Sequence, residues 1–296
     1  MSRPSSPSRA LSGPVAASGL VVIGLITQDV GAAISVMVFP EVGAAGMTAL
    51  RLAFSAVILL IVARPRLRGR SRRDWLTVVL FAGALAAMNL SFYEAISRIP
   101  LGIAVTIEVL GPLLLSVIMG RRWLNLLWAL LAVAGVVVLG SQNIDRLDPV
   151  GVLFAVAAGA LWACYILTSA ATGRRFENLD GLAIAMTIAA IVVLPFGAVA
   201  AGPSLIDPRW LLLGLAVAVL SSTIPYALEL VALRRLPESA FGVLMSLSPA
   251  IAAMAGLLLL GQPVSALDWI AIAVVVLASS GAVLTARTRE PIPPTA

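Results

Sequence analysis

The sequence has no histidine and no lysine, and a single cysteine in 296 residues. These absences remove whole classes of chemistry. Without His there is no zinc-protease helix and no Ser–His relay, and only one Asp lies well inside an apolar run, so paired-Asp catalysis is missing too. A glutamate-dependent intramembrane enzyme is the catalytic class left standing. Cys164 has no partner for an intramolecular disulfide, so thiols are silent about compartment. Charge is scarce: 11% of residues are charged, 60% are hydrophobic, and mean hydropathy is +1.05. Soluble domains are not built this way; the composition describes an all-α polytopic membrane protein.

What charge there is lies in a telling place. The net charge is +6 and every basic residue is Arg. The arginines sit in short loops between apolar runs, which argues against nucleic acid as a partner. Ten spans are expected, at about 15–38, 44–63, 74–97, 101–119, 124–140, 149–170, 180–199, 209–231, 239–260 and 266–285. The apolar run after Arg3 and Arg9 is too long for a signal peptide, so an uncleaved first helix is expected. One set of alternate loops holds Arg64, Arg66, Arg68, Arg70, Arg72 and Arg73, with Arg121-Arg122, Arg174-Arg175 and Arg234-Arg235; the other set holds Arg98, Arg146 and Arg209. This bias predicts both termini in the cytoplasm. Trp75, Trp123, Trp128, Trp210 and Trp269 fall near span ends, as an interfacial belt requires, whereas Trp162 is deep.

One stretch is out of keeping with a plain apolar span. Residues 98–112 carry Arg98, Pro100, Glu108, Gly111 and Pro112. A carboxylate inside a membrane is costly, about 2.5–3.5 kcal/mol on insertion scales. Pro112 has no N–H, so it frees the carbonyl of residue 108 and breaks the helix there. The frame recurs after 137 residues: Arg235, Pro237 and Pro249 match Arg98, Pro100 and Pro112, with Met245 in the place of Glu108. Broken helices at matching positions of two halves point to a transporter's binding site. Five spans per half force the second copy to insert upside down, giving two inverted five-helix repeats over 15–140 and 149–285, with tails 1–14 and 286–296.

Several stretches resemble the EamA-type domains of the drug/metabolite transporter superfamily, and its threonine/homoserine exporter branch in particular. They are Ala49-Leu50-Arg51-Leu52-Ala53, Met88-Asn89 with Phe92-Tyr93, Pro100 to Val105 running on to Glu108 and Gly111-Pro112, Trp162 to Leu167, Ser221 to Tyr226 with Leu228-Glu229, and Phe241-Gly242 with Leu244-Met245-Ser246. The resemblance implies secondary export of small amino acids or related metabolites across a bacterial-type inner membrane, driven by an ion gradient, with no cofactor. A proton is the expected coupling ion, and a monomer or homodimer in the bilayer the expected assembly. An uncoupled facilitator is the nearest alternative.

Counting residues at ~1.5 Å each places Glu108, Arg51, Asn89 and Asp29 in one layer. Glu108 suits a substrate ammonium and Arg51 a carboxylate, bound by a bidentate fork. Two readings stand for Arg51: substrate ligand, or ion-pair partner of Asp29. Asn89 and Tyr93, four apart, share a helix face. Glu108 and Asp29 are the candidate proton carriers. Trp162, Tyr165, Tyr226 and Met245 are expected to line the cavity, Glu229 to gate it with Tyr226, and Gly111, Pro112, Pro225 and Pro249 to break helices. Glu94 is expected at an interface.

Overall fold

The computed structural model describes residues 14–285 except 121–122, 143–146, 226–227, 229–231, 233–235 and 237. Among the described residues the chain is all helix, with no strand. The helices are α1 (Pro14–Ala63), α2 (Arg72–Ile96), α3 (Leu101–Glu108), α4 (Leu110–Gly120), α5 (Trp123–Gln142), α6 (Pro149–Gly173), α7 (Asp180–Ala201), α8 (Pro208–Ala218), α9 (Glu238–Met245), α10 (Ser248–Leu260) and α11 (Ala266–Thr285). A π-helical turn, Val219–Thr223, continues α8.

Among the described residues, eight helical stretches are long and apolar enough to cross a membrane, and Pro208–Thr223 is a shorter apolar helix. The first of the eight covers 48 residues. At 1.5 Å per residue that is roughly 70 Å, more than twice a bilayer's hydrocarbon thickness of about 30 Å. It is interrupted at Gly43, whose φ of 70° and ψ of 165° are not helical. Only glycine adopts this region without strain, so α1 consists of two arms joined at Gly43. The outside of the bundle is apolar: Ile118, Leu153, Val199 and Leu258 are all exposed. That is a lipid-facing surface, far too continuous for water.

The two ends of the bundle are packed differently. At the end that holds Gly43 and residues 97–100, one core joins both arms of α1 to α2, α3, α8, α10 and α11. At the opposite end, near the arginine loops, burial divides into three separate clusters. One lies among α1, α2 and α7, a second among α4, α5 and α11, and a third between the first arm of α1 and the region from Ala232 to Ile251. Ion pairs fasten both ends. Arg70–Asp180 (3.3 Å) and Arg175–Asp74 (3.1 Å) join the arginine loops, and Arg98 binds Glu94 (3.0 Å) and Asp148 (3.7 Å) at the other end. Glu94 thus lies at a helix end, as its position predicts.

Candidate functional site

Two helices break midway along the bundle. In the first, only Val109 separates α3 from α4. Pro112 supplies no N–H to the carbonyl of Glu108, and that carbonyl lies against α6 at Gly159. Gly111 touches the same residue: a Cβ on either glycine would collide with backbone of the other segment. The close approach therefore depends on both residues lacking a side chain. In the second break, Ser246 and Leu247 separate α9 from α10. Pro249, in the first turn of α10, likewise denies an N–H to the carbonyl of Met245.

Between the breaks lies a cavity of about 170 Å³, lined by Gln28, Asp29, Ala32, Arg51, Met88, Asn89, Phe92, Val105, Glu108, Trp162, Tyr165, Ser221, Met245 and Ser248. Arg51 is its one cation among the described residues. The guanidinium is held on three sides: Nε donates to Ser222 Oγ (3.4 Å), one terminal nitrogen to Tyr93 Oη (3.3 Å), and the other to the Ser221 carbonyl (3.1 Å). It also lies over the Tyr93 ring, 5.4 Å from the centroid. Ser35 donates to the Gly31 carbonyl (2.8 Å), so the 3.2 Å contact between Ser35 Oγ and Tyr93 Oη takes its proton from the tyrosine. The tyrosine oxygen is thereby left to accept from Arg51. A guanidinium has five N–H groups; one on each terminal nitrogen is left for a further acceptor.

Seven of the residues singled out in the sequence line the cavity: Glu108, Arg51, Asn89, Asp29, Trp162, Tyr165 and Met245. Tyr93 is fully buried behind Arg51 rather than in the lining. Asn89 donates to the Leu85 carbonyl of its own helix (2.8 Å), and Tyr165 packs on Phe81. Among the described residues no ion pair joins Arg51 to Asp29. Pro225 is helical and buried beside Gly24. Tyr226 and Glu229 lie outside the described residues. Sequence reasoning did not assign Gln28, Ala32, Met88, Phe92, Val105, Ser221 or Ser248 to the lining. Gln28 was detectable as a second polar residue beside Asp29, and Ser248 as the polar neighbour of Pro249. Val105 and Ala32 carry no signal, being apolar among apolar residues.

A lipid-faced helical bundle, broken midway around a charged cavity, is the build of a polytopic membrane carrier. Comparison with known proteins makes this specific. The model of the EamA-like transporter family matches residues 149–284, from the start of α6 almost to the end of α11. The chain is 40% identical over 275 residues to the threonine/homoserine exporter RhtA of Salmonella typhimurium, covering 92% of each protein. It is 38% identical over 276 residues to the RhtA of Escherichia coli K12, with 92% and 93% covered. An uncharacterized transporter of Bacillus subtilis, YwfM, is 27% identical over 211 residues, 69% of this chain and 71% of that one. One crystal structure of a protein shares the fold at 20% identity, with a TM-score of 0.64 and coverage of 91% of this chain and 97% of the other. The chain belongs to the EamA-like transporter family, a family of membrane transporters and not of enzymes.

Proposed function

We propose that the protein exports small zwitterionic amino acids of the threonine and homoserine kind, by alternating access and at the expense of a proton gradient. The observation that carries this reading is Arg51. It is fixed by Tyr93, Ser221 and Ser222, keeps free N–H groups, and shares its cavity with two carboxylates. A substrate carboxylate takes the fork, its ammonium takes Glu108, and Asn89, Trp162 and Tyr165 enclose the side chain. The names of the RhtA relatives support the substrate class. A proton carried on Glu108 or Asp29 supplies the coupling.

The same reading gives ten spans, obtained by dividing α1 at Gly43 and counting Pro208–Thr223 as one. Helix pairings support an inverted repeat over 15–140 and 149–285. Contact between α2 and α6 is matched by contact between the first arm of α1 and the α8 region; α3 faces α10 and α5 faces α11. The arginine loops face the cytoplasm, with both termini. The continuous core then closes the cavity to the outside, and the separated clusters open it to the cytoplasm.

Flux in proteoliposomes tests the reading. Labelled threonine and homoserine are expected to enter by saturable counterflow against internal threonine. Linear flux without exchange would mean a channel, and no flux of either amino acid would remove the substrate class.

A further inference from the structure

The cavity holds two carboxylates and one guanidinium, and the two acids are not equivalent. Glu108, at the end of α3, is partly exposed. Asp29 is 2% exposed, and its Oδ2 has no hydrogen-bond partner among the described residues. Several hydrogen bonds of the lining's donors run to other acceptors. Ser221 Oγ donates to the Gln28 carbonyl (3.2 Å), Asn89 Nδ2 to the Leu85 carbonyl, and Arg51 to Tyr93, Ser221 and Ser222. The other ionisable groups of the lining are Glu108 on α3, Arg51 on the second arm of α1 and the Tyr165 phenol on α6. Among the described residues, α2, α7, α8, the π turn, α9 and α10 bring no charged side chain to the lining. An ionised carboxylate avoids burial without a donor; a protonated one tolerates it.

We propose that Asp29 is the proton-carrying residue of the transport cycle and that Glu108 is kept for the substrate ammonium, an assignment that rests on the proton-coupled exporter reading above. In the cytoplasm-facing carrier, the ammonium binds Glu108, and its positive charge in the shared cavity drives the Asp29 O–H to give its proton to cytoplasmic water. After outward opening, the ammonium leaves and a proton from outside water adds to Asp29. One O–H bond is broken and one re-formed per cycle, and no other bond changes. The empty carrier returns with Arg51 balanced by Glu108 and with Asp29 neutral. An empty carrier with Asp29 ionised would bury that carboxylate with neither a proton nor a substrate ammonium in its cavity, and that cost blocks its return without a proton.

Asp29→Asn has the shape of the protonated acid and separates the steps. In proteoliposomes this variant is expected to retain threonine counterflow within a few-fold of wild type and to lose accumulation driven by a pH gradient. Addition of threonine to wild-type protein in weakly buffered detergent should release protons to a pH dye, and the Asn variant should release none. Glu108→Gln should lose threonine binding itself. Accumulation that persists in Asp29→Asn overturns the assignment. So does loss of its counterflow in a protein that elutes as folded, because Asp29 is then a substrate ligand. If the Asn variant does not fold, Asp29→Glu takes its place: it is expected to stay coupled with a shifted pH profile, and an unchanged profile overturns the proposal. Wild-type exchange without proton release also overturns it and spares the substrate class. Wild-type protein with no threonine or homoserine exchange overturns the exporter reading instead.

Discussion

The two broken helices share a plan and differ in chemistry. Both breaks follow from a proline four residues beyond a freed carbonyl, at Glu108 and at Met245, and both open onto the same cavity. At the first break the freed residue is a carboxylate, and its backbone is pressed onto Gly159. At the second it is a thioether, and the break is wider and hydroxyl-lined, with Ser246 donating to the Gly242 carbonyl (3.0 Å) and accepting from Ser280 (3.3 Å). Asp29 and Arg51 also belong to the first half. A break alone therefore does not make a binding site. The second half contributes shape, plus Ser221 and Ser222 to orient a guanidinium that the first half supplies.

The largest effect should come from removing that guanidinium. A bidentate, charge-assisted contact is worth roughly 3 kcal/mol, about 100-fold in affinity. Arg51→Gln is expected to lower threonine affinity by about that factor, measured by thermal-shift titration, while the variant still elutes as a single folded species. A variant that keeps wild-type affinity would show that the first half does not hold the charge-reading chemistry.

Next in size is the glycine contact that distinguishes the first break. Gly159→Val forces α6 away from the Glu108 carbonyl, and overpacking of this kind costs about 1–3 kcal/mol. A lower melting temperature and a loss of flux should appear together. Gly19 is the control: a Cβ there meets nothing within 4 Å. Gly19→Ala should stabilise α1 slightly, by up to about 1 kcal/mol. Equal melting temperatures for the two variants would remove the special status of the first break.

Much of this was legible in the sequence, for physical reasons. Apolar runs must be long enough for a bilayer, so an all-helical membrane bundle follows from hydropathy; ten spans are expected, and the described residues give eight membrane-length stretches and one shorter apolar helix, because Ala16–Ala63 is one helical stretch and Pro208–Thr223 is short. Proline chemistry marks the breaks at residues 109 and 246–247. Depth is additive along a helix, so counting residues put Glu108, Arg51, Asn89 and Asp29 in one layer, and all four line the cavity. Helix-to-helix contact was not legible. Leu, Ala and Val are interchangeable against lipid, so nothing in the sequence tells that Gly111 meets Gly159, that Ser221 and Ser222 reach Arg51, or that one end of the bundle shares a single core. The freed carbonyl of Glu108 looks available on paper, yet α6 covers it.

Transplanting the chemistry is a subtler intervention. Met245→Glu puts a third carboxylate at the second break, where Met245 already lines the cavity. The insertion penalty of about 2.5–3.5 kcal/mol applies at a bilayer centre, and a cavity lessens it. Threonine flux should fall by roughly tenfold, about 1.4 kcal/mol, because the added charge competes with Glu108 for Arg51 and for the ammonium. Flux equal to wild type would make the two breaks chemically interchangeable.

The smallest effect belongs to the second break's own hydroxyls. Ser246→Ala removes an oxygen that bridges the Gly242 carbonyl and Ser280, on α9 and α11. Gly242 keeps its backbone bond from Ser246 N (3.1 Å), so its carbonyl stays satisfied. Ser280 is half-buried and can turn to another acceptor. The net loss is that of one neutral hydrogen bond, about 0.5–1.5 kcal/mol. It should appear as a melting temperature lower by a few degrees, with the threonine KM unchanged, since Ser246 is not in the cavity lining. A raised KM with an unchanged melting temperature would reverse the comparison, because the hydroxyls of the second break would then be reading the substrate rather than supporting the fold.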